Sequence, residues 1–195
     1  MFKRIALLLP LLLVLSSCGP IIGQLMKASE GVKDFRVISG NLAELKTARN
    51  ILVVGPFAKA PGAYYIARGD EAGLFFQEIN DTDELRAELY IGKRYGDLTE
   101  MVSAIRSKSS VQLRNELALQ NEPDLVLFAT ILERETIVAP ARGIIMRVGY
   151  RLELFNPATN GSTVVEIIVK EHFKDCVKLV VGEMLRQAGI AAGGN

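Results

Sequence analysis

His172 and Cys176 stand four residues apart, a spacing that puts an imidazole and a thiol on one face of a helix. Such a pair suits a thiolate–imidazolium couple or half of a metal site. His172 is the only histidine in the 195 residues, so any Ser-His-Asp or Cys-His arrangement has to use it. A zinc site needs three or four ligands, and one His with one Cys leaves only carboxylates to complete it. The residue types favour a solvated histidine at a helix start and a packed cysteine, with no metal, no cofactor and no enzymatic activity expected. Glu133 and Glu135 are spaced as neighbours on one strand face, but nothing beside them in the sequence would raise one pKa, so they read as solvated charges. The stretch GPFAKAPG, 55–62, lacks the Gly-Lys-Ser/Thr ending of a phosphate loop, and its two prolines remove amide donors. Arg68-Gly69-Asp70 reads as a turn followed by a helix cap.

The other cysteine lies in a different context. Lys3 and Arg4 precede an apolar run from Ile5 to Leu15, and small residues fill Ser16 and Ser17 before Cys18. Charged, apolar, then small is the layout of a secretory signal, and the run is too short for the roughly 20 residues that span a bilayer. Leu15-Ser16-Ser17-Cys18 resembles the bacterial lipobox. The resemblance implies cleavage between Ser17 and Cys18, with a diacylglyceryl group on the Cys18 sulfur and commonly an acyl chain on the new amino terminus. A plain secretory signal with an incidental cysteine, or an uncleaved anchor, is the alternative. By the same resemblance, the absence of aspartate at position 19 favours the outer membrane over the inner one.

A leader over 1–17 leaves 178 residues, one domain of ordinary size. The leader holds two of the 23 basic side chains and none of the 22 acidic ones, so the remainder has a net side-chain charge of −1. No basic tract appears, and nucleic acid is not expected as a partner. With Cys18 lipidated, Cys176 has no intramolecular disulfide partner.

The elements follow from periodicity. Residues 18–48 are mixed and glycine-punctuated, and read as a lipidated tether becoming a docking segment, helical around Leu42 to Ala48. A single domain is expected over 49–189, with a disordered tail over 190–195. Ile51 to Val54 reads as a buried strand closed by Gly55 and Pro56. Phase then changes to 3.6 residues, with Phe75 and Ile79 at i, i+4 in a helix capped by Asp70. AELYIGKRYG reads as a strand. Asp97 and Glu100 have capping-box spacing ahead of Met101, Val102 and Ile105, and Ser109 and Gln112 repeat it ahead of Leu113 and Leu117. Leu125 to Leu132 is uncharged and reads as a central strand covered on both faces. Residues 144–155 alternate, NPATNG turns, and 163–170 returns as a strand. Opposing Leu154 with Thr163 sets Leu152 against Val165, Tyr150 against Ile167, Val148 against Val169 and Arg151 against Glu166. A last helix carries Phe173, Val177, Val180, Val181 and Met184 on one face and stops near Gly189.

The expected fold class is α/β: a two-layer mixed sheet of about five strands with helices packed on it, ending in a long β-hairpin and a C-terminal helix. ILVVGPF, PDLVLFATI and YRLELFNPATNGSTVVEI resemble the lipoprotein family related to the curli secretion channel, and the amino-terminal domain of the Tol-system translocation protein. Those domains share an anticodon-binding-like α/β fold and a hairpin turn matched by Leu154-Phe155-Asn156 and Thr159-Asn160-Gly161. The resemblance spans roughly residues 49–187, bears on fold more than function, and lacks the extra strand pair of a membrane barrel.

These readings lead to a non-catalytic lipoprotein, anchored through Cys18 on the periplasmic face of the outer membrane, that binds another envelope protein or assists an assembly. Its oligomeric state is left open. Two surfaces are candidates for a partner. Ile137 and Val138 sit between charged ends in ERETIVAPARG, which either accepts a partner or connects the central strand to the hairpin while packing on the core. Tyr64 and Tyr65, close in sequence to Phe75 and Phe76, either anchor an interface or fill the core. An oligomeric secretion-channel-like component is the alternative function, and an envelope hydrolase using His172 and Cys176 is a third.

Overall fold

An uncharged run such as Leu125 to Leu132 hides from water only inside a sheet with both faces covered, and that is where it lies. A computed structural model of the protein describes residues 30–66, 71–92, 98–139 and 143–190, with backbone alone for 64–66. The strands are β1 (Gly31–Ser39), β2 (Asn50–Gly55), β3 (Ala58–Lys59), β4 (Arg86–Ile91), β5 (Leu125–Ala139), β6 (Gly143–Asn156) and β7 (Gly161–Glu171). The helices are α1 (Glu71–Asn80), α2 (Leu98–Arg106), α3 (Ser110–Glu116) and α4 (Phe173–Ala188), with 3-10 turns at Leu42–Lys46 and Pro61–Ile66.

The strands form one mixed sheet in the order β1-β7-β6-β5-β2-β4, with β3 against the middle of β5. β2 runs parallel to β4 and β5, whereas β5, β6, β7 and β1 are successively antiparallel. Helices α1 and α4 and the turn at Leu42–Lys46 cover one face, burying Phe75 edge-to-face between Phe57 at 5.3 Å and Tyr150 at 5.5 Å. Helices α2 and α3 cover part of the other, over Leu52, Val54, Val126, Phe128 and Phe155. The mixed α/β class, the flanking helices, the hairpin and the C-terminal helix are as expected, and a second set of helices lies on the opposite face.

The hairpin register is the one that alternation selects. Leu154 opposes Thr163, Leu152 opposes Val165, Tyr150 opposes Ile167 and Val148 opposes Val169. On the far face Glu166 receives Arg151 at 2.6 Å and, from β1, Arg36 at 3.2 Å. Local chemistry sets the ends. Ser109 and Gln112 exchange side-chain and backbone hydrogen bonds as a capping box, and Gly189 takes the left-handed conformation, φ 71°, that closes α4. The Asp124 carboxylate accepts the amides of Arg49 and Asn50 at 2.8 and 2.9 Å, tying the start of β2 to that of β5.

Two segments differ from expectation. Residues 31–39, read as tether, are the edge strand β1, so the sheet starts ahead of residue 49. Register shifts between Val32 and Asp34 and between Val37 and Ser39 interrupt its alternation, and a period of two is therefore absent from its sequence. The tract 133–139 is no loose connection. It prolongs β5 to fifteen residues and pairs with β6 as far as Ala139 opposite Gly143. The phosphate-loop look-alike holds the two-residue strand β3 and the start of the turn at Pro61–Ile66. Asp70 and Asp97, the expected caps, lie outside the described residues.

Gly55 marks where α1 meets the sheet most closely, since a Cβ there would sit 2.6 Å from the Ala72 Cβ. Gly55→Ala is expected to lower stability by about 1–3 kcal/mol in urea unfolding. Gly182→Ala on α4, where nothing lies within 4 Å of the new carbon, is expected to raise it by up to about 1 kcal/mol.

Candidate functional site

The most unusual chemistry in the fold lies beneath α1 and α4. Glu71 opens α1 and Arg134 lies in β5; their side chains are each 2% exposed and they form a direct ion pair. The Arg134 guanidinium carbon is 5.4 Å from the centre of the Phe173 ring. Tyr150 hydrogen-bonds to Arg134, and burial pushes its hydroxyl up to about 12, with the Arg134 charge pulling the other way. Cys176 joins the same pocket of the core. Burial pushes its thiol up to about 11, opposed chiefly by its hydrogen bond to the Glu171 carbonyl at 3.5 Å. A thiol held protonated and covered is a packing group, because the thiolate is the nucleophile and the ligand.

His172 and Cys176 are not brought into one site. The thiol donates to the Glu171 carbonyl, while His172 Nδ1 lies 3.2 Å from the Ile144 carbonyl. Glu133 pairs with Arg147 at 3.2 Å, and Glu135 is exposed. Among the described residues no three His, Cys, Asp or Glu side chains are grouped to hold a metal ion. A cavity of about 140 Å³ between α2 and the sheet is lined by Val54, Pro56, Met101, Val102, Phe128 and Glu153. Its carboxylate is engaged by Arg106 at 2.5 Å, whose guanidinium also lies over Phe128 and Phe155 at 5.3 and 5.2 Å.

Of the candidate partner residues, Ile137 and Val138 reach the tip of the β5–β6 hairpin. Ile137 is half-buried opposite Ile145, whereas Val138 is 78% exposed opposite Ile144 at 63%. Tyr64 and Tyr65 belong to the turn at Pro61–Ile66, and their side chains lie outside the described residues. Ser17, Cys18 and Arg68-Gly69-Asp70 also lie outside them. Neither Glu71 nor Arg134 was singled out as a pair by spacing, since they are 63 residues apart.

No protein-family model matches the sequence, and no curated protein matches it. Solved structures superpose on it remotely. A PelC dodecamer from Paraburkholderia phytofirmans is 12% identical and covers 81% of this chain and 98% of that chain, at TM-score 0.48. Lipoprotein GNA1162 from Neisseria meningitidis, also 12% identical, covers 72% of this chain and 98% of that one, at TM-score 0.40. The hypothetical protein CT253 from Chlamydia trachomatis is 14% identical and covers 63% and 72% respectively, at TM-score 0.35. These are remote likenesses of chain path. They assign no family, so the curli-channel and Tol-domain likeness stays a resemblance, and no site residue is carried over from them.

Two measurements test the buried cluster. Glu71→Ala strands a guanidinium in the core and is expected to cost about 3–5 kcal/mol, whereas Glu71→Leu with Arg134→Met recovers most of it. The raised thiol and hydroxyl bind protons in the folded chain after their unfolded counterparts, from ordinary values of 9 and 10, have lost them. Stability is therefore full below about pH 9 and falls as pH rises toward 12. Cys176→Ala is expected to flatten the lower part of that decline in denaturant titrations.

Proposed function

We propose that this chain is a non-catalytic, lipid-anchored envelope protein whose α/β domain works beside the outer membrane, binding other envelope components or helping them assemble. The observation that supports this best is the join between leader and sheet. Twelve residues separate Cys18 from Gly31, where β1 begins. Fully extended, they reach about 40 Å. An acylated Cys18 would thus keep the sheet within one domain diameter of the bilayer. Two or three chains hold durably where one holds reversibly, at roughly 0.8 kcal/mol per buried methylene. Confinement raises effective concentration, so modest contacts with other anchored proteins suffice without new chemistry. The core thiol and the separately engaged histidine support a binding role over a hydrolytic one. Among the described residues no helix is long and apolar enough to cross a membrane, a statement that does not bear on strands.

A second reading, an oligomeric component of a secretion channel, has one specific observation in its favour. Among the described strands β1 lies at the edge of the sheet, with Val37 and Ile38 exposed at 47% and 52%, and a sheet edge is a surface for pairing with another chain. A ring of copies in detergent extracts, seen by light scattering or electron microscopy, would select this reading, and a monomer would remove it. The anchor is tested by growth with radioactive palmitate. Wild type is expected to take up label and Cys18→Ala to lose it, with the unlabelled mutant in the soluble envelope fraction. Label persisting in the mutant would refute the assignment.

A further inference from the structure

Register across the sheet fixes what lies at the level where the N-terminal segment arrives. Gly31 opposes Lys170, Lys170 opposes Arg147, and Arg147 opposes Glu135, so these four positions form one row across β1, β7, β6 and β5. The β5–β6 hairpin continues beyond that row. Three positions further, about 10 Å at the rise of a strand, Val138 and Ile144 face each other. Among the described residues they are the most exposed of the large apolar side chains, at 78% and 63%.

We infer that the tip of the β5–β6 hairpin is a second, shallow contact with the lipid bilayer, made by Val138 and Ile144. The inference rests on the lipid-anchored reading above. The occupant is argued from position and size. The segment that would carry the acyl chains enters the sheet at the end toward which the hairpin runs, where Val138 and Ile144 are exposed on one face while Ala139 and Ile145 are buried on the other, so a short tether brings that end toward the membrane. Two opposed side chains are far too small for a stable protein interface, which needs about 1,000 Å². They suffice for a contact that only orients a protein already held at the surface. Arg147, Lys170 and Glu135, in the row behind the tip, lie on the opposite face of the sheet from Val138 and Ile144, and Arg147 is paired there with Glu133 at 3.2 Å, so the contact is argued from the apolar pair alone. Three residues per strand beyond the last β6–β7 pair, Met146 opposite Glu171, fall well short of the 9–11 that cross a membrane. The contact is therefore interfacial.

The test uses the mature lipidated protein in vesicles of phosphatidylethanolamine and phosphatidylglycerol, with Val138→Cys or, separately, Ile144→Cys carrying an environment-sensitive NBD label. Cys176 is covered and protonated, so labelling is confined to the new thiol. Val111→Cys is the control. It is 47% exposed on α3, whose Ser110 is bonded to Pro123 at the opposite end of the sheet. The expected result is a blue shift and quenching by nitroxide-bearing lipids at 138 and 144, and neither at 111. Anchored protein whose tip labels are as wet as the control would overturn the hairpin contact and leave the anchor standing. A blue shift that grows with protein density but is not quenched by the lipid nitroxide would mean that a second copy covers the tip, and would also overturn it. Protein that carries no acyl group and floats free of the vesicles would overturn the anchor and the contact together.

Discussion

One extra residue in β5 decides which side chains the helices cover. Between Ile131, opposite Tyr150, and Glu133, opposite Gly149, β5 spends two positions where β6 spends one. Up to Ile131 the odd-numbered residues face α1 and α4; beyond the bulge the even-numbered ones do. Arg134 is thereby turned under the helices, and Glu71, Phe173 and Tyr150 are the groups that receive it. The same turn sends Glu133 and Glu135 outward with Arg147, and puts Val138 and Ile144 on the helix-bearing face beyond the start of α4. A guanidinium at that depth is tolerable only while its carboxylate stays with it, so the first turn of α1 is held to the middle of β5.

The rest of the fold is arranged around that strand. Its first half is a core strand, with β2 on one side, β6 on the other and helices over both faces. Its second half runs on into the hairpin with β6, burying Arg134 and Ala139 while Glu135, Thr136 and Val138 are exposed. Among the described residues the Glu71–Arg134 pair is buried, the Cys176 thiol is covered and His172 lies beside a backbone carbonyl, so each of these groups is engaged within the fold. To its surroundings the fold presents, among those residues, β1 at the edge of the sheet and the exposed pair Val138 and Ile144.

Legibility in the sequence followed periodicity. β2, β4, the first half of β5, the register of the β6–β7 hairpin, the Ser109 capping box and the Gly189 stop could all be read from the sequence. These elements either keep an unbroken apolar run, as β2 and the first half of β5 do, or hold a period of two or 3.6 without interruption. β1 could not, because two bulges scramble its alternation and because it carries Lys33, Asp34 and Arg36 at an exposed edge. The extension of β5 was hidden for a related reason: ERET reads as a charged connection until the bulge shows that only one of its charges goes inward. The Glu71–Arg134 pair had no local signal at all, since opposite charges 63 residues apart are joined only by topology.

The central claim is that Cys18 ends as the acylated first residue of a protein held at a membrane. Mass spectrometry of the N-terminal peptide from protein purified out of its own envelope tests this most directly. The account predicts a peptide beginning at Cys18 whose mass exceeds that of the bare residues by a diacylglyceryl group, with or without an amide-linked chain. A peptide beginning at any other residue, or an unmodified Cys18, would contradict it.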